Sequence, residues 1–153
     1  MRWGFWFFIF VLVVLHFILR LGLGLGQLAP DLLLVALLLA AREMRAGWAA
    51  GLGLGLGILD GSMVPFNLGT SALVMTVIGF VGARSRELFS GDNFVFLALY
   101  LFVGKWLYDA LLYLVTGDLF SAGATYLVLV SPLAALYAAA AGVVALATYR
   151  AFA

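Results

Sequence analysis

Residues 46–64 read AGWAAGLGLGLGILDGSMV, a run of 19 residues in which Asp60 is the only charged side chain. About 17 to 25 predominantly apolar residues cross a bilayer as an α-helix. Glycine and leucine alternate from Gly51 to Gly57, so a helix over this run carries small positions on more than one side. The run therefore predicts a transmembrane helix that other helices can approach closely.

The glycines of this helix fall on two faces. Steps of four residues sort them into the 47/51/55 face (Gly47, Gly51, Gly55) and the 53/57/61 face (Gly53, Gly57, Gly61). Lipid gives no hydrophobic drive for helix association, so close contact at small residues holds such helices together. We expect both faces to pack, which places the helix in the middle of a bundle. The GxGxxG pattern in the run follows no strand and therefore does not indicate a dinucleotide site.

The rest of the chain is equally apolar. Its 153 residues are 67% hydrophobic and 10% charged, with a mean hydropathy of +1.22, whereas a soluble domain is about 25% charged. Charged residues, Pro and Gly divide it into apolar segments near 3–20, 28–41, 46–64, 68–83, 93–115 and 123–149. We expect an all-α membrane protein, a compact bundle of about six transmembrane helices that forms a single domain over 1–153. Within the last segment, Pro132 either begins the helix or kinks it.

Basic residues set the expected orientation. Cytoplasmic loops of membrane proteins carry the excess of Lys and Arg. With six spans and a cytoplasmic N-terminus, the outside holds Arg20 and the cytoplasmic side holds Arg2, Arg42, Arg45, Arg84, Arg86 and Arg150. We therefore expect a multi-pass protein with both termini in the cytoplasm.

Four polar residues are candidates for a pocket or a partner contact: Asp60, Asn67, Lys105 and Asp109. By helical rise, Asp60 and Lys105 lie about 21 Å and about 18 Å from the cytoplasmic side. A charge at such depth is costly unless it is paired. Lys105 should therefore pair with Asp109 one turn away, or with Asp60 if their helices are neighbours. Two alternatives stay open: the pair is purely structural, or Asp60 reaches water at the outer end of its helix.

The residues that catalysis and metal binding require are scarce. The chain has no cysteine and one histidine, and its carboxylates are not clustered along the sequence, so no metal triad is expected. Neither Ser62 nor Ser71 sits in a nucleophile elbow. A net charge of +1 gives no basic footprint for nucleic acid. We expect no enzyme activity, no cofactor, no metal and no nucleic-acid partner.

Several short motifs follow one another over residues 30–86. They are PDLLL at 30–34, a basic loop at 42–45, GILDG at 57–61, LG at 68–69, and Gly79. In their order and spacing these motifs resemble the rod shape-determining protein MreD, a membrane component of the bacterial cell-elongation machinery. After the aspartate of GILDG the family usually has a more polar turn, whereas this chain has SMVPFN at 62–67.

The resemblance implies a fold similar to the substrate-binding subunits of energy-coupling-factor transporters. It implies a non-catalytic scaffold or regulator of cell shape in the bacterial inner membrane. Such a protein acts with an MreC-like single-span periplasmic partner and, indirectly, on the peptidoglycan synthase of the elongation complex, among membrane lipids. The alternative is a small-molecule-binding subunit of a transporter, in which the polar candidates and Tyr108 would line an outward-facing cavity.

Overall fold

The computed structural model describes residues 2–19, 32–62, 68–85, 93–116, 129 and 131–152. These residues form six helices: α1 (Arg2–Phe17), α2 (Leu32–Ala41), α3 (Ala46–Gly61), α4 (Leu68–Ser85), α5 (Phe94–Thr116) and α6 (Ser131–Phe152). The predicted all-helical fold is confirmed for this part of the chain. The helices begin and end close to the predicted segments, except that the described part of the last one begins at Ser131. Pro132 is the second residue of that described part, and Leu129 before it is also helical.

Two helices are long and apolar enough to cross a membrane. They are α5, over Phe94–Val115, and α6, over Ser131–Ala151. Three further helices are apolar but shorter, at Trp3–Phe17, Leu32–Ala41 and Gly69–Ser85. The second and fourth predicted segments are among these, whereas α3, which the sequence predicts as a transmembrane helix, is in neither group.

The centre of the bundle is α2. All ten of its residues are buried, and it packs against each of the other five helices. Its sequence, LLLVALLLAA, has no polar side, which is typical of a helix that is enclosed all round. The expectation that the glycine-rich α3 occupies the middle is therefore wrong.

The 53/57/61 face of α3 packs on α4 through backbone contacts. A Cβ atom built on Gly57 would lie 2.6 Å from the Cα of Ala72 and the carbonyl oxygen of Ser71, and one built on Gly53 would overlap the Met75 carbonyl. In return, Gly79 of α4 lies against the carbonyl of Ala49. The predicted packing role of Gly53 and Gly57 is confirmed.

The 47/51/55 face is exposed. A Cβ atom on Gly47, Gly51 or Gly55 would meet no atom of the described residues within 4 Å, and all three glycines are exposed. Their predicted role in packing inside the bundle is therefore wrong for the described part of the chain. The reason is the position of α3 at the edge: it packs chiefly on α4, and its contact with the central α2 is smaller.

Large apolar side chains cover the outside of the molecule. Trp3 and Phe7 of α1 are 89% and 68% exposed, Trp48 of α3 is 72% exposed, and Leu133 of α6 is 67% exposed. Helices α4 and α5 expose leucine, valine and phenylalanine in the same way. A soluble monomer rarely exposes contiguous apolar patches beyond a few hundred Å². This surface suits an apolar surrounding.

Candidate functional site

A buried charged cluster joins α5 to α6. The Nζ of Lys105 lies 3.2 Å from Oδ1 of Asp109, one helical turn further along α5. The hydroxyl of Ser131, the first described residue of α6, donates a hydrogen bond to Oδ2 of Asp109 at 2.6 Å. Both carboxylate oxygens therefore have a partner. We call these three residues the α5–α6 clamp.

The clamp is screened from the surroundings. Asp109 and Ser131 are 5% and 0% exposed. The Lys105 side chain is 13% exposed, and its Nζ lies 5.0 Å from the centre of the Tyr108 ring. An aromatic face attracts a cation at that distance. The predicted pairing of Lys105 with Asp109 is confirmed.

Asp60 belongs to a different pair of helices. Its Oδ2 accepts a hydrogen bond from the Ser71 hydroxyl of α4 at 3.3 Å, in a half-buried position. The ion pair of Lys105 is made with Asp109 on its own helix, and the α5–α6 clamp lies where α5 packs on α6. Of the four predicted polar candidates, Asp60 therefore lies between α3 and α4, whereas Lys105 and Asp109 lie between α5 and α6. Asn67, the fourth candidate, lies outside the described residues.

Sequence reasoning missed the two serines. Ser71 and Ser131 lie 11 and 22 residues from the aspartates that they contact. No periodicity within one helix links positions so far apart, because the link depends on which faces of two helices meet. The nearest signal in the sequence was Pro132, next to Ser131, which marked either the start of a helix or a kink.

Two arginines lie over aromatic rings at one end of the bundle. The guanidinium of Arg42, after α2, lies 5.8 Å from the Tyr100 ring centre, and that of Arg150, late in α6, lies 5.5 Å from the ring centre of Phe94 at the start of α5. At the same end, Phe8 of α1 stacks on Tyr149 with ring centres 4.7 Å apart. The beginning and the end of the described chain therefore lie together.

The α5–α6 clamp links two helices, and its Asp109 carboxylate neutralises the charge of the Lys105 ammonium. Its carboxylate is already occupied on both oxygens, so the geometry favours a static contact over a ligand site. Within the described ranges, no three His, Asp or Glu side chains come together as a metal site would require. Comparisons with protein-family models, with curated proteins and with solved structures give no match.

Proposed function

We propose that this chain is a non-catalytic membrane scaffold or regulator of the bacterial cell-elongation machinery. In this proposal it crosses the inner membrane six times, has both termini in the cytoplasm, and binds the transmembrane helix of an MreC-like single-span partner. The resemblance of residues 30–86 to the MreD family supplies the biological setting. The exposed surface and the arrangement of the helices support the physical part.

The proposed membrane location is supported by the apolar surface of the molecule and by the length of two helices. Two helices have the length and composition of membrane spans, and α1 exposes Trp3, Phe7 and Phe10 on a single side. In water this surface would drive aggregation, whereas in lipid it costs little.

The proposed six-span orientation is supported by the helix ends that lie at the same end of the bundle. Phe8 stacks on Tyr149, and Arg150 lies over Phe94, so the start of α1, the end of α6 and the start of α5 share one end of the bundle. In the proposed topology all three are cytoplasmic. Single cysteines at Ser90 and Ser121 would then react with a membrane-impermeant reagent from opposite sides. Reaction of both from one side would contradict the span count.

One observation carries the partner-binding proposal: the exposed 47/51/55 face. Small residues at four-residue steps allow another helix to approach the backbone closely, which is how helices associate in lipid. The neighbouring 53/57/61 face shows that this helix can pack in that way, because Gly57 brings it into contact with the α4 backbone. A single transmembrane helix is the partner that matches one narrow face.

The transporter alternative has less support. It needs polar side chains that line an open cavity, yet Asp109 is buried and bonded on both oxygens to Lys105 and Ser131. Asp60 likewise accepts a hydrogen bond from a neighbouring helix. Asp60 and Asp109 thus each take part in a contact between two helices.

Co-purification tests the proposal, with Gly51→Leu as the variant and Gly69→Leu as the matched control. Both glycines are exposed and have no described atom within 4 Å of an added Cβ. We expect Gly51→Leu to fold normally but to recover at least tenfold less of the single-span partner, while Gly69→Leu recovers the wild-type amount. Equal recovery by both variants would exclude the 47/51/55 face as the contact. A bound vitamin or sugar in the purified wild type would favour the transporter alternative.

A further inference from the structure

A second feature of the bundle is a cleft between α4 and α5. It has a volume of about 80 Å³, and its walls include Val81 and Gly82 of α4 and Val103 and Gly104 of α5. Leu38 of the central α2 forms its floor. Val81 and Val103 are 38% and 45% exposed, so the cleft opens to the outside of the bundle.

Two glycines shape the cleft. A Cβ on Gly104 would lie 2.5 Å from Cδ1 of Leu38, and one on Gly82 would lie 2.9 Å from the Tyr100 hydroxyl. Leu38 therefore reaches between α4 and α5 only because both positions lack a side chain. The Tyr100 hydroxyl donates a hydrogen bond to the Leu38 carbonyl at 2.8 Å, so the polar atom on this wall already has an acceptor. The walls consequently suit an apolar occupant.

One end of the cleft is cationic. Ser85 lies at that end, and the neighbouring Arg84 is exposed, with its guanidinium 5.9 Å from the ring centre of Phe80. Arg42 lies over the ring of Tyr100, which itself lines the cleft. The acidic residue described in the neighbouring loop is Glu43, and Arg45 offsets its charge. Among the described residues, Arg42 and Arg84 therefore add positive charge at this end.

The dimensions decide between a helix and a lipid chain. The lining runs from Ile78 to Ser85 on α4 and from Tyr100 to Leu107 on α5, a length of about 10 Å at the helical rise. A transmembrane helix is itself about 10 to 12 Å wide with its side chains, about as wide as this lining is long, and Leu38 already reaches between α4 and α5. One acyl chain is narrow enough to lie along it.

We propose that the α4–α5 cleft binds an acyl chain of an anionic phospholipid from the cytoplasmic leaflet, with the lipid phosphate at the Arg42 and Arg84 end. An apolar cleft with a cationic end matches the two parts of such a lipid. Clusters of basic residues at the cytoplasmic side of a membrane attract anionic headgroups. This inference rests on the proposed membrane orientation but on no partner protein.

Lipid retention by the purified protein tests the inference. The protein is exchanged into detergent with equal amounts of phosphatidylglycerol and phosphatidylcholine of the same acyl chains, and bound lipid is counted by native mass spectrometry. We expect one retained phosphatidylglycerol per chain and at least a tenfold preference over phosphatidylcholine. Equal retention of the two lipids would overturn the inference.

Two matched pairs of variants locate the lipid. Val103→Trp fills the cleft and should abolish retention, whereas Val144→Trp, at an exposed position of α6, should retain lipid as the wild type does. Arg84→Gln should reduce the preference for phosphatidylglycerol at least threefold, while Arg150→Gln leaves it unchanged. Retention by Val103→Trp equal to that of Val144→Trp would place the lipid elsewhere. Since no partner is needed, failure here leaves the scaffold proposal intact.

Discussion

The α3–α4 pair and the α5–α6 pair hold together by different physical means. Between α3 and α4, glycines bring two backbones into contact, and Gly57 lies against Ala72. Between α5 and α6, a buried aspartate bonds to a lysine and to a serine of the opposite helix. The first pair depends on the absence of side chains over a whole face, whereas the second depends on a few polar atoms. The two interfaces should therefore fail in different ways.

The largest effect is expected from Gly57→Leu. The new side chain would begin 2.6 Å from the α4 backbone, and neither backbone can move aside without separating the two helices. We expect at least a tenfold loss of folded protein, measured by size-exclusion chromatography in detergent. Gly55→Leu, two residues away on the exposed face, is the control and should change the yield less than twofold. Equal losses for both variants would contradict the assignment of the two faces.

Asp109→Ala should have the next largest effect. It leaves the Lys105 ammonium buried without its carboxylate, and breaking a buried ion pair costs about 3 to 5 kcal/mol. A double-mutant cycle with Lys105→Met measures the coupling, with thermal unfolding in detergent as the readout. Because the double variant leaves no buried charge, it should be more stable than Asp109→Ala alone. Additive effects of the two substitutions would mean that the ion pair contributes nothing to the clamp.

Ser131→Ala tests the contribution of one hydroxyl group to the α5–α6 contact. It removes the 2.6 Å hydrogen bond to Asp109 and leaves the ion pair in place. A hydrogen bond to a charged group contributes about 1.5 to 3 kcal/mol, so the loss should be smaller than for Asp109→Ala. The same unfolding measurement tests it, with Thr148→Ala on the exposed part of α6 as the control. A loss no greater than that of the control would remove Ser131 from the clamp.

Ser71→Ala should have the smallest effect. The hydrogen bond to Asp60 is 3.3 Å long and half-buried, so it should contribute less than a short, buried bond to a charged group, which contributes about 1.5 to 3 kcal/mol. The α3–α4 pair depends on its glycines, so it should tolerate this change. A loss as large as that of Asp109→Ala would show that a polar contact dominates both interfaces.

The sequence predicted some of these features because their cause lies within one helix. The Lys105–Asp109 pair follows from a four-residue step, and the 53/57/61 face follows from glycine spacing. The burial of α2 agrees with its sequence, LLLVALLLAA, which has no polar side, but the sequence does not show that this short helix contacts all the others. The serine contacts of Asp60 and Asp109 were not predictable, since they depend on which faces of two helices meet.

The expectation for the 47/51/55 face failed for the same reason. Spacing predicts that a face can pack, but it does not say whether the partner belongs to the same chain. Within the described residues α4 uses the other face of α3 and leaves Gly47, Gly51 and Gly55 exposed. The proposed single-span partner is what this face would accommodate.

Cysteine cross-linking tests the central claim most directly, namely that α3 presents one face to its own bundle and the other to a partner helix. The chain has no cysteine, so Gly51→Cys and Gly69→Cys each carry a single thiol. Each variant is oxidised in membranes with a series of single-cysteine variants along the transmembrane helix of an MreC-like partner. We predict that Gly51→Cys cross-links to partner positions spaced three or four residues apart and that Gly69→Cys does not. Cross-linking of Gly51→Cys only to a second copy of itself, or to no position of the partner, would contradict the claim.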